Sequence, residues 1–217
     1  LKIDLKNITL LAIDCVSPEK SIKALQYSSR YINFGEILLI SHYKPEQLPN
    51  HIRYENTIKH THGTINRFAM EELPDIIQTD YMLSIQDDGF IINPFLWNNQ
   101  FFNYDYIGAP WPNNLDWCIK NRVGNGGFVL KSKKFLNLEK QNPYIEGIHN
   151  DVLVTNYYYD LFTSKGIKYA PVEVACKFSL EHQISDCEYD LNKTFGFHGK
   201  LTQQAIDKIS ILENYKI

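Results

Sequence analysis

What is scarce in these 217 residues sets the first limits. There are four cysteines, Cys15, Cys118, Cys176 and Cys187, and no two of them form a CxxC pair. The close ligand spacing of a zinc site is therefore missing, and four reduced thiols in a cytoplasmic protein are the expectation. The eleven glycines never fall into GxGxxG after the first apolar run, nor into GxxxxGK[ST]. That removes the dinucleotide-binding fingerprint and the P-loop. Cationic excess is absent too, since the net charge is −3, so nothing electrostatic argues for nucleic acid or an anionic membrane. No stretch approaches the roughly 18 apolar residues of a membrane span, so no transmembrane segment is expected. The first residues lack the basic, apolar and small-residue order of a signal peptide. Residue 1 is Leu rather than Met, which leaves room for a longer parent chain.

What is present is ordinary in bulk: 44% hydrophobic and 22% charged residues, enough to bury a real core in one compact domain over residues 1–217. "NITLLAIDC" (7–15) is a short apolar run rich in β-formers and predicts a buried strand. Ser17-Pro18-Glu19 starts a helix, and "EILLIS" after Gly35 predicts a second strand. This strand–helix–strand unit implies parallel pairing in an α/β sheet. "HIRYENTIKH" suggests a further short strand. Residues 66–77 read as a helix that Pro74 kinks or ends, and "DYMLSIQDD" as another buried strand. A glycine-rich entry at "RVGNGGFVLKS" leads into a strand and then a helix. "HNDVLVTNYYYDLFTSKG" reads as a helix stopped by Gly166, "IKYAPVEVACKFSLE" as a strand, and "LTQQAIDKISILENYKI" as an amphipathic helix.

Ligands of open α/β sheets sit outside the carboxyl ends of the strands. The first strand ends at Asp14 and a later one at Gln86-Asp87-Asp88, so both ends are expected on one crevice. With no glycine cradle for phosphates, acids there suggest a phosphate ligand held through a divalent cation; a solvated turn would explain them equally. In "FGFHGK", His198 is placed to complete a metal's shell and Lys200 to screen a diphosphate, though a structural histidine fits as well. Gly124, Gly126 and Gly127 call for unusual backbone or close ligand approach, or simply for a tight turn.

Taken in order, the acid motif, "YDYIGAPW", "VGNGGF", an acid opening the helix at "HNDVLV", and a late "FHG" resemble a family of poorly characterised glycosyltransferase-like domains with the GT-A fold. The resemblance runs over roughly residues 7–200, and "YDYIGAPW" with "VGNGGF" is its specific part. It implies a GT-A-like (Rossmann-like) mixed, mainly parallel sheet flanked by helices. It also implies transfer of a sugar from a nucleoside-diphosphate donor to a hydroxyl of a glycan, lipid or protein, with Mn2+ or Mg2+. Gln86-Asp87-Asp88 takes the place of the family's DxD motif, with Gln86 for the first acid. On that matching Asp88 and His198 hold the metal. Asp14, Asn66, Arg67, Gln86, Asp87, Gly126, Gly127 and Lys200 border the donor, and a guanidinium suits a diphosphate through its planar fork. Asp151 is the expected base that deprotonates the acceptor hydroxyl, with Glu181 in reserve and Asn150 where a second acid would stand. Trp111 offers a ring to a sugar face, or else packs in the core. Two other readings stay open: a sugar-nucleotide nucleotidyltransferase, against which "DCVSPEKS" lacks the glycine- and base-rich loop, and an inactive GT-A-like module, which Gln86 and Asn150 favour.

Overall fold

The computed structural model describes residues 2–213. The chain runs β1 (Ile3–Ile13), α1 (Pro18–Ser29), β2 (Ile32–Ser41), β3 (Arg53–Asn56), α2 (His62–Glu71), α3 (Leu73–Ile76) and β4 (Tyr81–Ile85). Then come β5 (Tyr106–Ile107), β6 (Val129–Ser132), α4 (Lys133–Lys140), α5 (Asn150–Val152), α6 (Tyr159–Ser164), α7 (Val172–Phe178), β7 (Ser179–Leu180), β8 (Gly196–Phe197) and α8 (Thr202–Glu213). Six strands form one sheet in the order β3-β2-β1-β4-β6-β5. β1 is parallel to both β2 and β4, with Leu10 opposite Ile37 on one side and Leu83 on the other. β3 is parallel to β2, whereas β6 runs antiparallel to β4 and to β5. This is the mixed, mainly parallel α/β sheet expected from the sequence.

Alternation along the strands explains why the apolar runs are nearly continuous. Ile8, Leu10 and Ala12 of β1, with Leu39, Leu83 and Ile85, pack on one face with Leu25 of α1. Leu11, Leu38, Ile40 and Met82 point the other way, to Phe68 of α2, Leu73 of α3 and Leu136 of α4. A sheet covered on both faces reads this way, and each fully buried Leu or Ile contributes about 1.5–3 kcal/mol. The carboxyl ends of β1 and β4 therefore project from the rigid middle of the molecule.

The aromatic stretch after β4 has a structural task. Two short 3₁₀ turns, Pro94–Leu96 and Asn99–Asn103, present Trp97 and Phe101 to Phe178 and Phe195. Ring centroids stand 5.3 Å apart for Trp97–Phe195 and 5.2 Å for Phe101–Phe178. Phe90, just beyond the acid turn, meets Phe197 edge-on at 4.7 Å. These contacts dock the late chain against the strand ends, and so carry His198 to the acid motif.

Three expectations need correction. The helix expected from Asn66 begins at His62, because Thr61 and Thr64 form a reciprocal cap (Thr64 N–H to Thr61 Oγ1 3.3 Å, Thr61 N–H to Thr64 Oγ1 2.9 Å). The segment "IKYAPVEVACKFSLE" is mostly helix rather than strand. Pro171 opens α7, whose buried Ala175 and Phe178 follow helical spacing, and only Ser179–Leu180 is extended. Finally, Cys176 and Cys187 form a disulfide with their Cα atoms 5.5 Å apart, leaving Cys15 and Cys118 free. α7 and the folded-back segment after it bring two thiols together that are distant from any CxxC pattern, so the expectation of four reduced thiols fails. The expected C-terminal helix is present as α8; its residues 214–217 lie outside the described residues. Among the described residues no helix is long and apolar enough to cross a membrane.

Candidate functional site

A cavity of about 470 Å³ opens at the carboxyl ends of β1 and β4. Its wall includes Asp14, Asn66, Gln86, Gly126, Gly127, Asp151 and His198, so the two strand ends share a crevice as the sequence implied.

The acid motif is a two-residue turn: Gln86 and Gly89 exchange backbone hydrogen bonds (2.9 and 3.2 Å) around Asp87 and Asp88. Asp87 is exposed and Asp88 half-buried. Partial desolvation within the turn, with Asp88 and Asp14 nearby, pushes the Asp87 carboxyl up. The Asp88 carbonyl accepts from the Gly199 N–H (2.8 Å) and from Thr202 Oγ1 (3.0 Å). Gly199 takes φ +60° to do this, a left-handed conformation that favours glycine. In consequence His198 faces the turn: its Nε2 lies 3.1 Å from Gln86 Oε1 and 3.6 Å from Asp88 Oδ1.

The other imidazole nitrogen, Nδ1, lies 3.2 Å from Glu181 Oε1. Glu181 Oε2 in turn accepts from Asn125 Nδ2 (2.7 Å) and stands 3.3 Å from His182 Nε2. Glu181 is thus an outer partner that fixes the ring and leaves Nε2 toward the acid turn. Burial works against charge on His198, but Glu181, Asp88 and Asp151 outweigh it, and the imidazole is held above its ordinary value. A Cβ on Gly127 would sit 2.0 Å from His198 Nε2, and one on Gly89 2.7 Å from its Cδ2. The "GNGGF" glycine is there because the imidazole fills its side-chain space.

The next glycine serves the second carboxylate. Gly126 donates its N–H to Asp151 Oδ2 (3.1 Å), and Val152 donates to Oδ1 (2.8 Å). Burial pushes the Asp151 carboxyl up, while these two amides and the nearby His149 and Lys131 pull the other way. Beyond it Asn66 Oδ1 accepts from the Asn150 N–H (3.0 Å), tying α2 to the start of α5. A π turn follows at Leu153–Tyr157, closed by Tyr158 N–H to Leu153 O; such turns often occur at functional sites. Lys131 also lines the cavity, paired at 2.6 Å with the fully buried Glu139.

The remaining expected residues are placed differently. Asp14 lines the cavity, but its carboxylate closes the loop after β1, accepting from Val16 N–H and Ser17 N–H (both 2.8 Å) and from Ser21 Oγ (2.7 Å). Arg67 points to solvent, pairing with Glu146 at 2.8 Å. Lys200 reaches His182 Nδ1 at 3.0 Å. Trp111 is 5% exposed. It packs over Gly124 and edge-on to Trp117 (4.8 Å), so its ring is occupied by the fold and does not line the cavity. Sequence reasoning missed Asn125, although its position inside "GNGGF" was the available signal. It bonds Glu181 through Nδ2 and the Gly127 N–H through Oδ1 (3.0 Å).

Among the described residues no group of three or more His, Cys, Asp or Glu could hold a metal ion. Asp88 and Gln86, which both approach His198 Nε2 (3.6 and 3.1 Å), form with it a partial donor set. Sites for Mg2+-like cations commonly use one or two protein carboxylates and take other ligands from phosphate and water. The residues present therefore supply only part of a cation's shell, not a closed cage.

Residues 50–198 match the model of a family described as protein of unknown function (DUF5672). No curated protein matches the chain. Among solved structures the chain is similar to the inositol-1-phosphate CTP transferase from T. maritima, at 8% identity and a TM-score of 0.56, with both chains covered in full. It is also similar to the mannosyltransferase PcManGT from Pyrobaculum calidifontis in complex with GDP-Man and Mn2+, at 9% identity and a TM-score of 0.47. That match covers 77% of this chain and 55% of the other, so the chain spans about half the length of the mannosyltransferase. At these identities the likeness is one of fold.

Proposed function

Since the chain belongs to the DUF5672 family, whose description assigns no activity, we propose from the site itself that it is a nucleotide-sugar-dependent glycosyltransferase. The observation that carries this reading is the pairing of two differently held groups on successive glycines. Gly127 accommodates His198, whose Nε2 faces Gln86 and Asp88, and Gly126 holds the carboxylate of Asp151. Asp88 and His198 would hold Mn2+ or Mg2+ together with the donor diphosphate. The cation supplies charge neutralisation for a departing nucleoside diphosphate. Glu181 keeps His198 oriented, and Asn125 keeps Glu181 in place. Asp151 accepts the proton of an acceptor hydroxyl, a task suited to a carboxylate whose affinity for a proton is raised by burial.

The loop after β1 weighs against a nucleotidyltransferase. "DCVSPEKS" lacks a glycine- and base-rich phosphate loop, and its Val16 and Ser17 amides are taken by Asp14. An inactive module is separated by binding. A nucleoside diphosphate at 100 times its dissociation constant adds about 2.7 kcal/mol of stability. A panel of nucleoside diphosphates and nucleotide-sugars, each with and without Mn2+, is expected to yield one thermal shift that needs both components. Silence across the panel would move the reading to an inactive module.

A further inference from the structure

We propose that the Cys176–Cys187 disulfide is a positioning element of this site: it ties down the segment carrying Glu181, and through Glu181 the orientation of His198. Its functional consequence rests on the transferase reading above; its structural claim does not. The bridge joins α7 to a chain segment that returns eleven residues later, and Glu181 and His182 lie inside the loop it closes. That loop has little regular structure of its own. After Leu180 the chain has no helix or strand until Gly196. Between Glu181 and Cys187 its supports are side-chain and loop contacts rather than a ladder: the Tyr189 hydroxyl on the Glu181 carbonyl (3.1 Å), Asn125 on Glu181, Lys200 on His182, the Arg122–Asp186 pair at 2.6 Å, and the buried side chains of Ile184 and Cys187. Segments held this way open locally at low cost, and a cross-link limits the opened states they can reach.

The dependence then runs through named bonds. His198 N–H donates to Leu180 O (2.9 Å), its Nδ1 meets Glu181 Oε1, and Glu181 Oε2 accepts from Asn125. Loosening residues 180–187 releases the backbone and side-chain anchors of the imidazole together. A dithiol reductant such as dithiothreitol delivers two electrons and two protons to the bridge. The S–S bond breaks, Cys176 and Cys187 become thiols, and the reductant leaves as its cyclic disulfide. The site is therefore complete in the oxidised protein and loosened in the reduced one.

The test compares oxidised protein, reduced protein and the Cys176→Ser/Cys187→Ser double variant by amide hydrogen exchange. Peptides covering 178–190 and 195–199 are expected to exchange faster in the reduced protein and in the variant, with peptides from β1 unchanged. In parallel, binding of Mn2+ with UDP or with GDP is expected to weaken by about tenfold or more on reduction, the range for losing an outer partner of a ligating histidine. The double variant should show that weakening without any reductant, and reductant should then change nothing further, which excludes an effect through the free Cys15 in the cavity wall. Equal exchange in all three forms would overturn the proposal. Faster exchange at 178–190 and 195–199, with no Mn2+-dependent nucleotide binding even in the oxidised protein, would uphold the positioning role and reject the transferase reading.

Discussion

Asp88, beside the His198 that lines the cavity, and Asp151 in the cavity wall are held in contrasting ways. Asp88 stands on a two-residue turn, and its carboxylate lies 3.6 Å from His198 Nε2. Asp151 is set into the wall, with one oxygen on the Gly126 amide and the other on the Val152 amide. The first arrangement leaves lone pairs unspent and suits a cation that brings its own further ligands. The second fixes a carboxylate in place and burdens its charge with burial, which suits a group that takes up a proton. On the proposed reading, two acids of the same type are given different tasks by what surrounds them.

The sharpest way to break this contrast is Asp151→Asn. It is expected to lower sugar transfer by about 10²–10⁴-fold, the usual worth of a general base, while Mn2+-dependent nucleotide binding stays near wild type. Equal losses of both would mean that Asp151 belongs to the donor site rather than to the chemistry. Next comes Gly127→Ala. The added methyl group claims the space of His198 Nε2, so the ring must move away from Asp88. Metal-dependent nucleotide affinity should fall by about 10–100-fold, and overpacking should cost about 1–3 kcal/mol in denaturant unfolding. Unaltered affinity in a folded variant would remove His198 from the cation site.

The smallest effect is on stability against pH. The native Asp151 carboxyl titrates above its unfolded value of about 3.9, so in that window the native state binds more protons than the unfolded one. Its contribution is fully present below the unfolded value and is lost as pH rises through the native one. Asp151→Asn should flatten that descending slope, read from urea midpoints across mildly acidic pH. A variant that keeps the wild-type slope would show that Asp151 is not the group responsible.

Much of the frame was legible because burial on two faces writes itself into a sequence. The strands at Leu10–Ala12 and Met82–Leu83 alternate between two apolar clusters, and the double burial shows as consecutive apolar residues. Asp88 and His198 were expected to be neighbours from the resemblance to GT-A-like domains, and they lie 3.6 Å apart. The segment 172–178 misled because Val, Val and Phe favour strands by themselves, while Pro171 and the burial of Ala175 and Phe178 decide for helix. For Trp111 both a sugar wall and the core were open, and the core placement is the one observed. A tryptophan between prolines looks available, but the missing side chain of Gly124 makes room for its ring within the fold. Asn125 and the disulfide went unseen because their partners, Glu181 and the paired cysteines, become neighbours only through tertiary packing. Local pattern carries no trace of such pairings.

The most direct test of the central claim is calorimetric titration of UDP and GDP into wild-type and Asp88→Ala protein, each with and without Mn2+. The account predicts that one nucleotide binds the wild-type protein only with Mn2+, and that Asp88→Ala removes this dependence together with most of the affinity. Metal-dependent binding that survives intact in Asp88→Ala would contradict it.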